Sequence, residues 1–555
     1  MVKPYQSIVA HNPYFFIFEH LETRQMKKLH LIVFILLSAL SANARTYYVA
    51  KNGNDNQSGS ETSPWQTINK AGYTLAAGDT VLIKQGIYKE RVEVVVSGTA
   101  DKPIVFRNYK NEEVIIDGWN IWLYGWGGIF HIQGQSYIFV EGLKVQNSSY
   151  GGFWIEKSEH IYIRNNSTFK TNSCGIGVWE SEYVNIMNNE IEKACNGDEQ
   201  ECISIADSRY CEISYNNVHH NGLYGTKGGE GIDVKAGSSY VNVYNNHVHD
   251  IKNRIGIYVD AWDKKTSNIS IYNNIVHHCS SSGIALATEK GALLENIFIY
   301  NNVSYLNKWH GIEIGDWTEG SVSNTPIKNV FITNNTFYKN GIVDGGGGIL
   351  IDNADADNIF IQNNICSENN DFQIAIKKPN GNLYTVSNNL IYGFRGAIGE
   401  LKGDSAILKN PLFKQAAMFD FSLQKESPAI DKGSFNNAPI FDIENKARPI
   451  GKTIDIGAYE FGIKKEPTDQ DGNFLVYPNP ATYYCYVEIL KYKELKLNYQ
   501  IELYNLSGDL VKPPIYTKKS RIYFPLSKLQ TGIYFIVVRE RNTILFTKRL
   551  IVLSK

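Results

Sequence analysis

The dipeptide Asn-Asn recurs down the middle of this chain, beginning at Asn165, Asn188, Asn216, Asn245, Asn273, Asn301, Asn334, Asn363 and Asn388. The intervals run from 23 to 33 residues, and self-similarity at such a period means stacked supersecondary units. Each pair follows a short alternating run, such as Tyr240-Val-Asn-Val-Tyr244 or Asn268-Ile-Ser-Ile-Tyr272. Alternation with period two among β-branched residues marks strands. Asn suits the bends between them, because it tolerates left-handed backbone angles and its amide can hydrogen-bond to the next rung. Short strands joined by bends and stacked about 4.8 Å apart make a parallel β-helix, an all-β fold with a long flat flank on which an extended polymer can lie.

At 555 residues and 43% hydrophobic, the chain can build one large core and a smaller second domain. Lys and Arg (55) balance Asp and Glu (56), which removes any global electrostatic argument for nucleic acid as a partner. Lys27-Lys28, the apolar run Leu31–Leu37 and the small-x-small site Ala42-Asn43-Ala44 read as a signal peptide over 26–44, with Arg45 as the mature N-terminus and 1–25 as an over-called start. The apolar run is too short to span a bilayer, so no transmembrane segment is expected. Seven cysteines in a chain this long do not form a disulfide scaffold. Cys174 and Cys202 read as core fillers, with Cys195–Cys202 or Cys202–Cys211 as open pairings.

Residues 45–128 are expected to form an N-terminal cap and the first rungs. Ser63-Pro64 reads as a helix start, and Ile68, Ala71 and Leu75 share one helix face. A lone helix there would plug the open end of the solenoid. This stretch resembles the N-terminal segment of secreted right-handed parallel β-helix proteins, several polysaccharide lyases among them. Rungs then run over 129–400. Asn410-Pro-Leu-Phe413, Ser427-Pro-Ala-Ile-Asp-Lys-Gly433, Arg448-Pro449 and Asp455-Ile-Gly-Ala-Tyr-Glu460 follow in order. Together they resemble the choice-of-anchor segment that closes many surface-sorted β-helices, here 401–462. A polar linker, 463–473, leads to Tyr477-Pro-Asn-Pro-Ala481 and a run of short strands. Residues 474–555 resemble the C-terminal sorting domain of the type IX secretion system, an Ig-like β-sandwich. That resemblance implies export across the outer membrane, a partnership with the secretion machinery, and a secreted or surface-attached product.

A second motif aligns the rungs: a small residue, apolar, x, apolar, x. It occurs as Gly152-Phe-Trp-Ile-Glu156, Gly175-Ile-Gly-Val-Trp179, Cys202-Ile-Ser-Ile-Ala206, Gly231-Ile-Asp-Val-Lys235, Gly256-Ile-Tyr-Val-Asp260, Gly283-Ile-Ala-Leu-Ala287, Gly311-Ile-Glu-Ile-Gly315 and Gly348-Ile-Leu-Ile-Asp352. Strand side chains alternate faces, so the two x positions form two outward columns. These bring Asp233, Lys235, Tyr258 and Asp260 together, with small residues alongside. Trp154, Trp179, Tyr258, Trp262, Glu313 and Trp317 are the substrate-binding candidates, since aromatic faces can stack on sugar rings.

Lys235 is the residue the pattern singles out, with Asp233, Asp260 and Arg254 as further catalytic candidates. Gly229-Glu-Gly-Ile-Asp-Val-Lys235 loosely resembles the strand of chondroitinase-B and alginate lyases, which sets a calcium-ligating Glu five residues before a catalytic Lys. The resemblance implies Ca²⁺ on Glu230 and Asp233 and Lys235 as the base that removes a uronate C5 proton. The family's second Glu is Gly228 here. No matching Arg acid is evident, Arg254 being the nearest candidate and His249 another. The expectation is a polysaccharide lyase acting on an extracellular uronate-containing glycan. The alternatives are a glycoside hydrolase using Asp233 and Asp260, whose Cα atoms are about 8 Å apart at these spacings, or Asp260 and Glu313, two rungs apart, and a non-catalytic glycan-binding or adhesive surface protein. The Asn-x-Asp, Asp-Asp and Gly-His-Gly set of polygalacturonase-type hydrolases is absent. The histidines at 219–220, 247, 249 and 277–278 recur at one repeat position and read as a structural column.

Overall fold

The computed structural model describes residues 44–462 except 124, 198, 223–227, 319–321 and 398. Beyond 462 it describes 474–477, 484–489, 499–505, 509–517, 521–526, 529, 532–540 and 543–552. The expected signal segment, apart from Ala44, and the linker 463–473 lie outside the described residues.

Among the described residues, strands from Thr46–Val49 to Leu390–Tyr392 stack into three parallel sheets of 13, 11 and 12 strands. Past the first rungs each turn contributes one strand to each sheet, and the alternating Ile and Val side chains meet in one continuous core. A parallel sheet with its inner face fully buried demands such β-branched runs.

The asparagine bends divide into two positions with different duties. Asn166, Asn189, Asn216, Asn246, Asn274, Asn302, Asn335, Asn364 and Asn389 form a buried ladder, each of the first eight donating its backbone N–H to the next side-chain carbonyl at 2.8 to 3.0 Å. The residue before each takes the left-handed bend, at φ of 54 to 57°: Asn165, Asn188, Tyr215, Asn245, Asn273, Asn301, Asn334, Asn363 and Asn388. The dipeptide that begins at Asn216 is therefore one residue out of step with the rest. Its first Asn is the ladder residue, and Tyr215 fills the bend. A second, shorter ladder joins Asn307, Asn340 and Asn369.

The cap helix spans Ile68–Thr74, and Thr67 caps it by accepting the Lys70 N–H at 3.1 Å. The expected start at Ser63-Pro64 is thus corrected. Pro64 and Trp65 are held in an extended loop by backbone bonds to Asn54 and Tyr48, and the helix begins where a side-chain oxygen can satisfy its free N–H groups.

After the last rung, a short antiparallel ribbon (Phe413–Gln415 with Asp420–Leu423) leads into a segment that lies along the left-handed bends. Asn301 donates to Phe441 O, Asn334 to Asp455 O, and Asn363 to Ser434 O while accepting the Ser434 N–H. Arg448, wholly buried, pairs with the equally buried Glu460 at 2.7 Å and also donates to the carbonyls of Asp455 and Gly457. The C-terminal strands form antiparallel sheets of three (Phe474–Tyr477, Tyr484–Ile489, Arg521–Pro525) and four (Tyr499–Asn505, Ile515–Thr517, Gly532–Glu540, Thr543–Val552) strands around a shared core, an Ig-like sandwich. All seven cysteines are buried free thiols, so neither considered pairing is formed.

Candidate functional site

The site is built on the 11-stranded sheet, at the rungs Ile203–Ala206, Ile232–Lys235 and Ile257–Asp260. The register matches the aligned columns: Trp154, Gly177, Ser204, Asp233, Tyr258, Ala285, Glu313 and Leu350 are successive partners, as are Trp179, Ala206 and Lys235. Asp260 lies diagonal to Asp233, whose direct partner is Tyr258.

These positions point away from the core, but they are not open to solvent as a flat sheet would leave them. Asp233 and Asp260 are each 2% exposed, Tyr258 5% and Trp154 1%. Neighbouring groups pack on them: Trp126 and Trp179 on Trp154, Trp317 and Glu289 on Tyr258, and the Trp262 N–H on Asp260.

Lys235 donates to Glu201 at 2.5 Å and lies 3.5 Å from Asp233. Glu201 also accepts the Ser204 hydroxyl at 2.7 Å. Burial alone would push the Lys235 ammonium down, but the charges of Glu201 and Asp233 and the bond to Glu201 outweigh it and hold the pKa well above the ordinary lysine value. Asp233 is pushed the other way: burial, against the pull of Lys235, and the charges of Glu201, Asp260 and Glu230 raise it well above the ordinary carboxylate range. One Asp233 oxygen has no hydrogen-bond partner.

Glu230 sits on the same column as Glu201, each immediately before the small residue of its rung. Burial and the neighbouring Glu201 charge raise its pKa, and Arg254 stands 3.5 Å away with its Nε also bonded to Gly228 O at 2.5 Å. Burial also raises Asp260 to about 7, although its carboxylate accepts the Trp262 N–H at 2.7 Å. Glu313 is raised by burial to about 7 while accepting from Ser282 at 2.7 Å. The Tyr258 hydroxyl donates to Glu289 at 2.7 Å.

Glu201 and Glu289 were not among the residues picked from the sequence. Glu201 could have been: it precedes Cys202 as Glu230 precedes Gly231. Glu289 lies in a loop outside the repeat and carries no such signal.

Trp154 cannot offer a ring face to a ligand. It stacks on Trp179 at 3.8 Å between centroids, Trp126 stands edge-on to both, and its indole N–H has no acceptor. Tyr258 is likewise covered and packs against Trp317. Trp179 and Trp317 are half-buried, as is Trp262, over whose ring Lys290 lies at 4.2 Å. His249 is on the 12-stranded sheet and does not join Lys235. It stacks with His219 and His277 at 4.9 and 5.1 Å, and His277 stacks on Tyr305 at 4.7 Å, a column that continues the repeat.

The calcium expectation rests on Glu230 and Asp233. Both are oxygen donors of the kind a hard cation takes, yet each already faces a cation of the chain, Arg254 and Lys235 respectively. Among the described residues no three His, Cys, Asp or Glu side chains converge as a metal cage. The arrangement does not fit a calcium site.

The comparisons agree with this architecture. Residues 47–200 match the Pel9A-like right-handed beta helix region, 226–331 the right-handed beta helix region, and 475–553 the secretion system C-terminal sorting domain. The uncharacterized protein YwoF of Bacillus subtilis is 30% identical over 446 residues, covering 69% of this chain and 91% of that protein. Pectate lyase PEL9 of Emericella nidulans is 33% identical over 135 residues, covering 22% of this chain and 32% of its own length. Among solved structures, pectate lyase Pel9A aligns with 77% of this chain and 98% of its own at 14% identity and a TM-score of 0.40.

Fold and sorting domain together define a secreted right-handed parallel β-helix protein, related in fold to pectate lyases and exported by the type IX route to the cell surface or beyond. Within that class the chain belongs to the family of YwoF. Among the described residues no helix is long and apolar enough to cross a membrane.

Proposed function

We propose that the protein is a polysaccharide lyase that cleaves a uronate-containing extracellular glycan by β-elimination at the Lys235 face. The observation that carries the reading is the Lys235 ammonium, held charged between Glu201 and Asp233 on the flat sheet of a β-helix. The pectate-lyase relative and the Pel9A-like match over the N-terminal rungs support it.

The electrostatics assign roles that differ from those the lyase resemblance implies. A lysine whose ammonium is bonded to Glu201 and close to Asp233 is a poor base and stays a fixed cation. Lys235, with Arg254, receives the uronate carboxylate and offsets its charge, which acidifies the proton at C5. Glu230 stands beside Arg254, within the field of Lys235, with its pKa raised toward the working range of a general base. It takes the C5 proton, the C5–H electrons form the C4=C5 double bond, and the glycosidic oxygen leaves and is protonated from water. Asp233 and Asp260 shape the field around Lys235.

The test incubates the protein with polygalacturonate, alginate and chondroitin while following the ultraviolet absorbance of the unsaturated uronate product. Absorbance growth that is lost in Glu230→Gln and Lys235→Met supports the reading. Full activity in either variant, or no unsaturated product from any uronate, removes it. The hydrolase alternative keeps one specific support, the Asp260 and Glu313 carboxyls poised at about 7, as a general acid requires. Reducing ends released without absorbance would favour it.

A further inference from the structure

Of the nine tryptophans in the chain, three that belong to no strand are among the most exposed aromatics of the described residues. Trp119 is 62% exposed, Trp122 75% and Trp126 61%. They lie within eight residues, between Val114–Asp117 of the 12-stranded sheet and Gly128–Gln133 of the 11-stranded sheet. Scattered single apolar residues on a surface need no explanation, but three indoles this open at one bend do.

The bend is held in place. The Trp119 N–H bonds to Asp117 at 3.0 Å, Leu123 N–H to the Ser149 hydroxyl at 2.9 Å, and that hydroxyl donates back to Ile121 O at 2.8 Å. Trp126 is braced from beneath. Its ring stands edge-on to Trp154 at 5.8 Å and Trp179 at 6.2 Å, which are stacked on each other, and Tyr150 is 6.3 Å away. Trp179 reaches this position because Gly177 has no side chain: a Cβ there would come within 1.9 Å of the indole. Buried aromatics thus fix an exposed one, which binds with little conformational entropy left to lose.

Trp179, which braces Trp126, shares the sheet with Lys235. Trp179, Ala206 and Lys235 are successive partners in one column, so Trp179 is two rungs from Lys235, about 10 Å at the usual strand spacing. The rung that follows Trp126 is four from Lys235, about 19 Å. Only Ala206 stands between Trp179 and Lys235 in that column.

We infer that Trp126, with Trp119 and Trp122, is a glycan-stacking platform that grips the same polymer several sugars away from the Lys235 centre. The inference rests on the lyase reading for its ligand class, an extended uronate glycan. The platform's own requirement is the flat C–H face of a sugar ring, which an indole covers. It makes the enzyme selective for long chains: a short oligomer at Lys235 does not reach Trp126, whereas a polymer spans both.

The test measures affinity electrophoresis of the full chain in gels containing polygalacturonate, alginate or chondroitin, for Trp122→Ala, Trp126→Ala and the wild type, each also carrying Glu230→Gln so that the base is removed and Lys235 is kept. The expected result is about a tenfold loss of affinity for the polymer that binds, as for the loss of a stacking contact of about 1.4 kcal/mol, and unchanged binding of a trimer of the same sugar. Unaltered polymer affinity in both Trp variants overturns the platform, as does a wild type that binds none of the three polymers. Retarded binding lost in the Trp variants, with no elimination by the enzyme that keeps Glu230, keeps the platform and removes the lyase. Elimination with unchanged KM for long chains in the Trp variants does the reverse.

Discussion

Glu201 and Lys235 are 34 positions apart in the chain and 2.5 Å apart in the fold, an ion pair created by one turn of the helix. Lys235 is only 19% exposed at its side chain and Glu201 8%, so removing either leaves a poorly solvated charge. Lys235→Met is therefore expected to cost on the order of 2 kcal/mol near neutral pH, less than a fully buried pair because Lys235 keeps some solvent. Glu201→Gln costs a similar amount. The double variant recovers most of the loss, and urea denaturation of the four proteins reads the coupling. Two losses that simply add would show that the pair is not coupled.

The same pair sets the alkaline limit of stability. A lysine raised above its ordinary value of 10.5 contributes stability that is complete below that value and fades as pH rises through the higher folded value. The wild type should thus lose stability at strongly alkaline pH more steeply than Lys235→Met. Parallel curves of thermal midpoint against pH for the two proteins would contradict this.

The two asparagine positions at each bend should respond differently to mutation. Asn274 accepts from the Asn246 N–H and side-chain amide at 3.0 Å, and donates to Asn302 and to Val243 O. Asn274→Ala strands the buried Asn246 donors and the Val243 carbonyl of the preceding rung, while the backbone bond to Asn302 stays, a loss of about 2–4 kcal/mol when each orphaned group costs 1–3. Asn165 is exposed and left-handed at φ 57°. There Ala costs about 1 kcal/mol of strain, and Gly costs little. Urea midpoints of Asn274→Ala, Asn165→Ala and Asn165→Gly separate the two duties.

That division shows how far the sequence could be read. Period-two alternation and the small-x pattern gave the sheet register residue by residue, because a strand with one face buried cannot slip without exposing its Ile and Val side chains. The same logic put Asp233, Lys235 and Asp260 together. It did not show that their outward face is covered, since what covers it comes from the rung ends and loops: Trp126 over Trp154, and Glu289 against Tyr258. Nor did it give the partner of Lys235: Glu201 and Glu230 precede the small residue of their rungs alike, and spacing does not say which of them meets the lysine. Whether a lysine is a base or a fixed cation depends on contacts of this kind, one rung away in space and invisible to spacing alone.

The histidine column makes the fold acid-sensitive. His277 is lowered to about 3 by burial and by the charges of His247, His278 and His249 on protonation, and His247 to about 4 by burial, His249 and His219. A histidine whose folded pKa lies below its ordinary 6.5 contributes stability that is complete above 6.5. That stability is lost progressively as pH falls toward the folded value, because the unfolded chain binds the proton first. Stability should therefore decline from pH 6.5 toward 4, and His277→Phe, which can keep the stack on Tyr305, should flatten the decline. An unchanged slope in that variant would assign the acid sensitivity to other groups.

Arg448 decides whether the terminal segment stays on the bends. Its guanidinium bonds Glu460, Asp455 O, Gly457 O and, at 3.3 Å, Asn301 of a rung more than a hundred residues earlier. Neither Arg448 nor Glu460 has solvent to fall back on. Arg448→Met leaves a buried carboxylate without its cation, at a cost of about 3–5 kcal/mol. That cost falls on a segment otherwise held by hydrogen bonds with Asn301, Asn334, Asn363 and Thr336 and by a small apolar cluster of Phe421, Leu423, Ile456 and Ala458 against Tyr305, Tyr338 and Ile365. The segment should detach before the rungs do, since the rungs keep their own ladder and core. Limited proteolysis should then cut Arg448→Met first between 434 and 461 while the rungs resist. Arg448→Met combined with Glu460→Leu should regain part of the protection, because the stranded charge is gone. Cleavage that begins within the rungs, or equal resistance of wild type and variant, would show that the segment is held by something other than this pair.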